Sequence, residues 1–171
     1  MIEKEIKMIF EEFNYMADNL IKSFTRTNLD EDSLVFLSKR TKYLLSFTHL
    51  ILLKVLFKFF EGLNLVKFKI NEDMVDIDKI MEIIIEQVNI SLDDMISQKV
   101  DEKRKEDIAF IVDYLIILKS IINKLSVLFI SVLKFQSDII SEVEFRKAYR
   151  TFKYDIIEDK TDLENKLNIK L

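Results

Sequence analysis

The sequence predicts an all-α fold, an elongated bundle of four to six antiparallel long helices with no significant β-sheet. The first reason is composition, since the 171 residues include one glycine and no proline, and tight β-turns depend on these two residue types. The second reason is periodicity, because apolar residues recur three and four positions apart along most of the chain. A chain of this length also buries enough surface to fold without disulfide or metal staples.

The first predicted helix covers about residues 2–27. Its apolar positions form one stripe: Ile2, Ile6, Ile9, Phe13, Met16, Leu20 and Phe24. The segment NLDEDS follows this helix, and there either Asn28 or Asp30 can cap the next one. Glu31 stands three residues after Asn28, which is the spacing of a capping box.

The second predicted helix covers about residues 31–60. Its inward stripe comprises Leu34, Leu37, Leu45, Leu52, Val55, Leu56 and Phe59. Gly62, the only glycine, follows this helix where a left-handed C-cap residue is expected. Residues 63–70 alternate loosely between apolar and polar, and we expect an extended linker there because a lone strand has no hydrogen-bonding neighbour.

A third helix is predicted from Asn71, where Glu72 and Asp73 suit the positive end of the helix dipole. Its stripe comprises Met74, Ile77, Met81, Ile84 and Val88. The segment NISLDD, residues 89–94, predicts an interruption of this helix, with Ser91 as a new cap.

The fourth predicted helix carries the strongest periodic signal. Its stripe comprises Ile108, Ile111, Leu115, Leu118, Ile122, Leu125, Phe129, Val132, Gln136, Ile139 and Val143, and Ile117, Ile121, Leu128 and Leu133 widen it. A helix of about 35 residues is about 52 Å long, whereas a compact chain of this size is roughly 40 Å across. The helix therefore either breaks near Gln136–Asp138 or makes the protein elongated, and an elongated bundle leaves an apolar stripe for a partner.

A last helix is predicted to include FRKAYRTFKY, residues 145–154. Phe145, Tyr149 and Phe152 share one face with Ile156, and the basic side chains occupy the neighbouring arc. We expect residues 1–157 to form a single helical-bundle domain. Residues 158–171 are expected to form a C-terminal tail that is a short helix or partly disordered.

The residue types leave few options for catalysis or metal binding. The chain has no cysteine and one histidine, which excludes thiolate chemistry and metal sites with two histidines. His49 lies in an apolar segment, where a hydrogen-bonded, partly buried histidine is expected. Glu82 and Glu86 are spaced to hold a metal with a phosphate substrate, but they lie opposite the apolar stripe. We therefore predict that the protein is not an enzyme, with no catalytic residue, metal or cofactor.

Charge is unevenly distributed along the chain. The net charge is −4, yet residues 33–60 carry five basic side chains and residues 145–154 carry four, and neither segment contains an acid. On a helix, the basic groups of each segment border an aromatic face. The candidate interaction residues are Lys39, Arg40, Lys54, Lys58, Arg146, Lys147, Arg150 and Lys153.

Three kinds of surface would neutralise these basic faces. The first is an acidic surface of the same chain or of a second copy. The second is nucleic acid, through phosphate contacts and base stacking, and the third, less favoured, is an anionic membrane surface.

We expect a non-enzymatic helical interaction or assembly protein, a homo-oligomer or a subunit with a protein partner, self-associating through its apolar heptad stripes. The alternative is a nucleic-acid-binding accessory protein that uses the basic–aromatic faces at 33–60 and 145–154. The apolar run at 43–53 is too short to span a bilayer, and the chain shows no signal peptide and no cysteine. We therefore expect a cytoplasmic protein without a transmembrane segment.

Overall fold

The computed structural model describes residues 2–26, 29–53, 70–97 and 101–169, of which 92% are helical. The described residues form five α-helices and contain no strand. The helices are α1 (Ile2–Phe24), α2 (Glu31–Phe47), α3 (Ile70–Ser97), α4 (Asp101–Gln136) and α5 (Glu142–Leu167), and a six-residue π-helix (Thr48–Leu53) continues α2. The predicted all-α fold class is confirmed.

Several sequence predictions fall outside the described residues. They concern the cap at Asn28, the stripe residues Val55, Leu56 and Phe59, the glycine stop at Gly62, the linker at 63–69, and the candidate interaction residues Lys54 and Lys58.

The chain forms two compact units. The first comprises Met1–Tyr15 and Tyr114–Leu171, and the second comprises Met16–Asp113. The predicted division at residue 157 stays a prediction. Helix α5 continues through that position to Leu167, and Leu163 beyond it is fully buried.

Helices α1 and α2 follow the predicted stripes over most of their length. Phe13, Leu20 and Phe24 of α1 and Leu34, Leu37 and Leu45 of α2 are all buried. Of the two predicted caps, Asp30 acts as the N-cap of α2, because its carboxylate accepts a hydrogen bond from the Ser33 amide at 2.7 Å. Hydrogen bonds from the Ser33 side chain and from this amide lower the pKa of Asp30.

The second helix leaves α-helical geometry earlier than predicted, at Thr48. The hydroxyl of Thr48 is buried and donates to the Leu44 carbonyl at 2.8 Å, and Thr41 donates to the Leu37 carbonyl at the same distance. Such side-chain bonds to the preceding turn compete with the backbone ladder and bend helices. Single π-helical turns are found where a helix absorbs such a distortion.

Helix α3 runs without a break from Ile70 to Ser97, so the predicted interruption at 89–94 is wrong. The apolar stripe explains this result, because Val88, Leu92 and Met95 continue it at spacings of four and three and all three are buried. The packing of these side chains outweighs the tendency of Ser91 to start a new helix.

Helix α4 ends at Gln136, at the position where the length argument allowed a break. Asp138 takes a left-handed backbone conformation with φ of 56°, and the Lys134 carbonyl accepts the amide of Ile139 at 2.8 Å. The chain therefore turns away from the α4 stripe. The predicted continuation of that stripe through Ile139 and Val143 is wrong, because both side chains are exposed.

Helix α5 starts with a complete capping box that the sequence analysis did not identify. The Glu144 amide donates to the Ser141 hydroxyl at 3.2 Å, and the Ser141 amide donates to the Glu144 carboxylate at 2.8 Å. The Phe145 ring then stacks on Phe135 of α4, with the ring centroids 5.0 Å apart. The cap and the ring pair together set the direction in which α5 leaves the turn.

Candidate interaction surfaces

The outward face of α2 carries large apolar side chains bordered by cations. Phe36, Tyr43 and Leu50 are 58%, 62% and 53% exposed, and they are spaced by seven residues. Lys39 and Arg40 are exposed on the same side of the helix. We call these five residues the α2 surface. The spacing of these residues places them on one side of a helix, and the rings of Phe36 and Tyr43 are exposed.

The cations of the α2 surface differ in their immediate surroundings from the neighbouring Lys42. The guanidinium carbon of Arg40 lies 5.3 Å from the centre of the Phe36 ring, within the range of a cation–π contact. Lys42 forms an ion pair with Asp93 of α3. One basic side chain of this segment therefore has its anion within the chain, on a neighbouring helix.

The basic segment of α5 is arranged in the opposite way. Phe145 and Phe152 are buried and Tyr149 is half-buried, whereas Arg146, Lys147, Arg150 and Lys153 are all exposed. The aromatic residues of FRKAYRTFKY therefore pack inward, and only its basic groups reach solvent. The structure describes six of the eight candidate residues, two on α2 and these four on α5.

The four cations of α5 also have different neighbours. Arg146 forms an ion pair with Glu142 one turn earlier, at 2.9 Å. The ammonium of Lys153 lies 5.5 Å from the centre of the Tyr149 ring. Within the described residues, no carboxylate lies within the 4.0 Å ion-pair distance of Lys147 or Arg150. These two cations are therefore the ones that an external anion would neutralise.

An ion pair that the sequence analysis missed fastens α5 to α4. Lys124 donates to the Asp159 carboxylate at 2.8 Å and to the Asp155 carbonyl at 2.9 Å, and Ser120 donates to the same carboxylate at 3.0 Å. Asp159 is buried. A signal was present, because Asp159 stands seven residues after Phe152, in phase with the inner stripe of α5.

A groove of about 350 Å³ lies beside this ion pair, between α4 and α5. Its lining includes Lys124, Leu128 and Phe152 at the inner end and Lys147 and Thr151 at the outer end.

A second groove lies in the unit Met16–Asp113 and has a volume of about 970 Å³. Its apolar floor includes Phe24, Leu29 and Ile108, and Arg26 and Lys105 stand at its edge. These two cations are exposed and belong to neither of the predicted basic segments. The sequence analysis missed them because they lie far apart in the chain.

His49 is half-buried, as expected, and lies near a carboxylate. Its Nε2 atom is 3.7 Å from Glu82 Oε1 on α3. Glu82 and Glu86 are both exposed, and a search of the described residues finds no group of three or more His, Cys, Asp or Glu side chains placed to hold a metal. The contact ties the π-helical turn to α3.

One helix has the length and composition of a membrane span. Within α4, the segment Glu102–Gln136 contains a window of 18 residues with a mean hydropathy of 2.0. The core helix of a water-soluble bundle has the same properties, and α4 supplies many of the buried residues here. This is weak support for a span, and the expectation of no transmembrane segment stays a prediction.

No family model, no curated protein and no solved structure matches this chain. The functional argument therefore depends on the surfaces described above.

Proposed function

We propose that this chain is a non-enzymatic helical interaction protein that assembles with copies of itself. The supporting observation is that large apolar side chains more than half exposed stand at helical spacing on the outward faces of α2 and α5. On α5 these are Val143, Tyr154 and Ile157, which are 77%, 76% and 55% exposed. Apolar side chains aligned on an exposed face are typical of contact surfaces between proteins.

The heptad stripe of α4 is not available for this contact. Its members from Ile111 to Val132 are at most 1% exposed, so the chain's own helices already cover them. Self-association through that stripe would require the bundle to open. The outward faces of α2 and α5 are among the surfaces that a second copy can reach without unfolding the first.

Composition favours the same assignment. Interface centres are enriched in Tyr, Phe and Arg, and they are depleted in Lys and Glu relative to other surfaces. Phe36, Arg40 and Tyr43 on α2, and Arg150 and Tyr154 on α5, are exposed residues of the enriched types. Burial of such aromatic groups in a contact contributes about 25 cal/mol per Å² of apolar surface.

Sedimentation equilibrium of the full chain, from low micromolar to sub-millimolar concentration, tests the proposal. We expect a reversible oligomer whose mass rises with concentration, since assembly follows mass action. A monomer over the whole range would contradict the proposed function.

The second candidate function is nucleic-acid binding through the α2 surface. Its specific support is that the faces of Phe36 and Tyr43 are available for base stacking next to Lys39 and Arg40, with no acid in the described part of that segment. Stacking on aromatic rings combined with phosphate neutralisation is how single strands are bound without sequence preference.

A mobility assay with a single-stranded oligonucleotide at low salt tests this candidate. Binding should fall steeply as salt is added, because each phosphate contact releases counterions. Lys39→Glu with Arg40→Glu should abolish it, whereas Lys79→Glu on the exposed side of α3 should not. A wild-type chain that leaves the oligonucleotide unshifted at low salt would remove this candidate.

A further inference from the structure

We propose that α5 is the contact between two copies of this chain, packed antiparallel across a two-fold axis. In this arrangement the basic half of each α5, residues 145–154, lies against the acidic half of the other, residues 155–164. The inference rests on the proposed self-assembly and names the surface and the geometry that would produce it.

The charges of α5 are divided between its two halves. Residues 145–154 carry four basic and no acidic side chains, whereas residues 155–164 carry five acidic side chains and one basic. No cation of the basic half stands three or four positions from an acid of the acidic half, so the helix cannot pair its two halves internally. Like charges one turn apart, such as Arg146 with Arg150 and Glu158 with Asp162, repel each other instead.

The chain itself accounts for only part of the acidic half. Asp159 is buried and paired with Lys124, but Asp155, Glu158 and Asp162 are exposed. An external surface that neutralises the charges of both halves at once must be basic opposite residues 155–164 and acidic opposite residues 145–154. A second α5 in antiparallel orientation has this pattern.

An apolar-centred stripe on the outside of α5 fits the same arrangement. Residues at alternating spacings of four and three form it, and all of them are exposed: Val143, Lys147, Arg150, Tyr154, Ile157 and Thr161. We call this set the outer α5 stripe. It has the spacing of a coiled-coil seam and lies on the side of the helix opposite Phe145 and Phe152. Tyr154, one of its two central residues, and the next member, Ile157, are exposed, so a contact with its axis at Tyr154 would bring the two tyrosine rings together in the middle and charged side chains at both ends.

The register follows from the positions of the charges. With the two-fold axis at Tyr154, Arg150 lies opposite Glu158 of the second copy, and Lys147 lies opposite its Thr161, one residue from Asp162. Because a two-fold contact is isologous, each pair occurs twice. Lys147 and Arg150 are the two cations of this arc with no described carboxylate at ion-pair distance in their own chain. The same charges in parallel orientation would place basic against basic, which sets the direction.

The outward face of α2 does not support a similar contact with itself. The acids of α2, Glu31 and Asp32, are confined to its first turn, and residues 33–53 contain none, so a contact centred on Tyr43 would place no acid opposite Lys39 or Arg40. The α5 face is therefore the one of the two that a second copy complements.

Charge reversal in the full-length chain tests this contact by sedimentation equilibrium at low and high salt. The variant Lys147→Glu with Arg150→Glu, the acidic variant, has an acid at each of positions 147, 150, 158 and 162, and the variant Glu158→Lys with Asp162→Lys, the basic variant, has a cation at each of them. All four positions are exposed, and circular dichroism checks that the helix content is unchanged. We expect each variant to raise the dissociation constant of the dimer by at least about tenfold.

Two recombinations distinguish complementarity from damage. An equimolar mixture of the acidic and basic variants should form a heterodimer with an affinity near that of the wild type, and the variant with all four reversals should dimerise again. Lys39→Glu with Arg40→Glu on α2 is the matched control and should leave the dissociation constant unchanged.

The absence of cysteine allows a second readout by cross-linking. Tyr154→Cys lies beside the proposed axis and should give a disulfide-linked dimer under mild oxidation. Tyr43→Cys, equally exposed on α2, should remain largely monomeric.

The outcomes separate the contact from the function. A wild-type oligomer that none of the α5 reversals weakens would overturn the α5 contact and leave self-assembly standing. A wild type that is monomeric at every concentration would overturn both. A monomer that binds an oligonucleotide, and loses it on Lys147→Glu with Arg150→Glu, would assign the basic half to nucleic acid and overturn the contact.

Discussion

The basic segments of α2 and α5 look alike in sequence and differ in structure. Both combine cations with aromatic residues at helical spacing and contain no acid. In α2 the rings of Phe36 and Tyr43 stand in solvent, and in α5 the rings of Phe145 and Phe152 are buried. The difference arises from phase, because the aromatic residues of α2 lie opposite its leucine stripe, whereas those of α5 are themselves the stripe. Composition identifies a segment that is rich in basic and aromatic residues. The helical phase of its aromatic residues relative to the core decides whether their rings are buried or exposed.

The largest expected effect on the free energy of unfolding distinguishes the buried aromatic residues of α5 from the exposed ones of α2. Phe145→Ala removes a fully buried ring that stacks on Phe135, and we expect it to lower the free energy of unfolding by about 3–4 kcal/mol. Phe36→Ala, the matched change on α2, should alter it by no more than about 0.5 kcal/mol. Urea unfolding followed by circular dichroism measures both. Equal losses for the two variants would mean that the ring of Phe36 is also part of a core.

The next largest effect on the free energy of unfolding distinguishes a partly buried cation from an exposed one in the unit that contains α5. Lys124→Met leaves the buried carboxylate of Asp159 without its cation, and we expect a loss of about 2–3 kcal/mol. Lys147→Met removes an exposed cation and should be close to neutral. The double variant Lys124→Met with Asp159→Leu should recover most of the loss, because removing both charges leaves no buried ion unpaired. If the double variant is as unstable as the single one, packing rather than charge holds this position.

A smaller effect concerns the start of α5. Ser141→Ala removes one half of the capping box, and we expect it to lower the free energy of unfolding by about 1 kcal/mol. Ser137→Ala, in the same turn but outside the box, is the control. The same urea titration measures both variants. A loss confined to Ser137→Ala would show that the turn, not the cap, limits stability here.

The smallest effect compares two carboxylates: Asp159 has its cation at 2.8 Å, and Asp107 has none within the 4.0 Å ion-pair distance among the described residues. Burial raises the pKa of Asp107, although Lys103 nearby opposes the shift. A carboxyl whose pKa is raised on folding destabilises the folded state when ionised, and this penalty disappears as the pH falls through the raised pKa. We therefore expect Asp107→Asn to raise the Tm by about 1–2 °C at pH 7.

The pH dependence is the control for that comparison. The gain from Asp107→Asn should shrink as the pH is lowered toward the range in which the wild-type carboxyl is protonated. Melting curves followed at several pH values would show this trend. A gain that is independent of pH would mean that the substitution acts through packing and not through charge.

The parts of the fold that follow from local periodicity were predictable. The apolar stripe of α4 repeats over about seven successive turns. Its spacing therefore predicts both that the segment is helical and which of its faces points inward. A comparison of helix length with domain size allowed either a break near Gln136–Asp138 or an elongated protein, and the helix ends at Gln136. The uninterrupted course of α3 was not predictable from Ser91, because the cap signal and the stripe compete and only packing decides between them.

The candidate surfaces were predictable only in part. Spacing placed Lys39 and Arg40 on an outward face and Phe145 and Phe152 on an inward one. The pairing of Lys124 with Asp159 depends on how α4 and α5 meet, and residues 35 positions apart give no local signal of that meeting. At Thr48, where the π-helical turn begins, a buried hydroxyl donates to the Leu44 carbonyl. A scale of helix propensities holds no information about such a hydrogen bond.

The division of the chain into two units has a consequence for the order of events during synthesis. The unit Met16–Asp113 is continuous in sequence, whereas the other joins Met1–Tyr15 to residues that begin at Tyr114. Folding on the ribosome proceeds as segments emerge, so the continuous unit can acquire its contacts first, while the opening turns of α1 wait for α4 and α5. Contacts between residues so far apart form slowly. Helix α5 is synthesised after the other described helices. We therefore expect its emergence to complete the unit that also contains Met1–Tyr15.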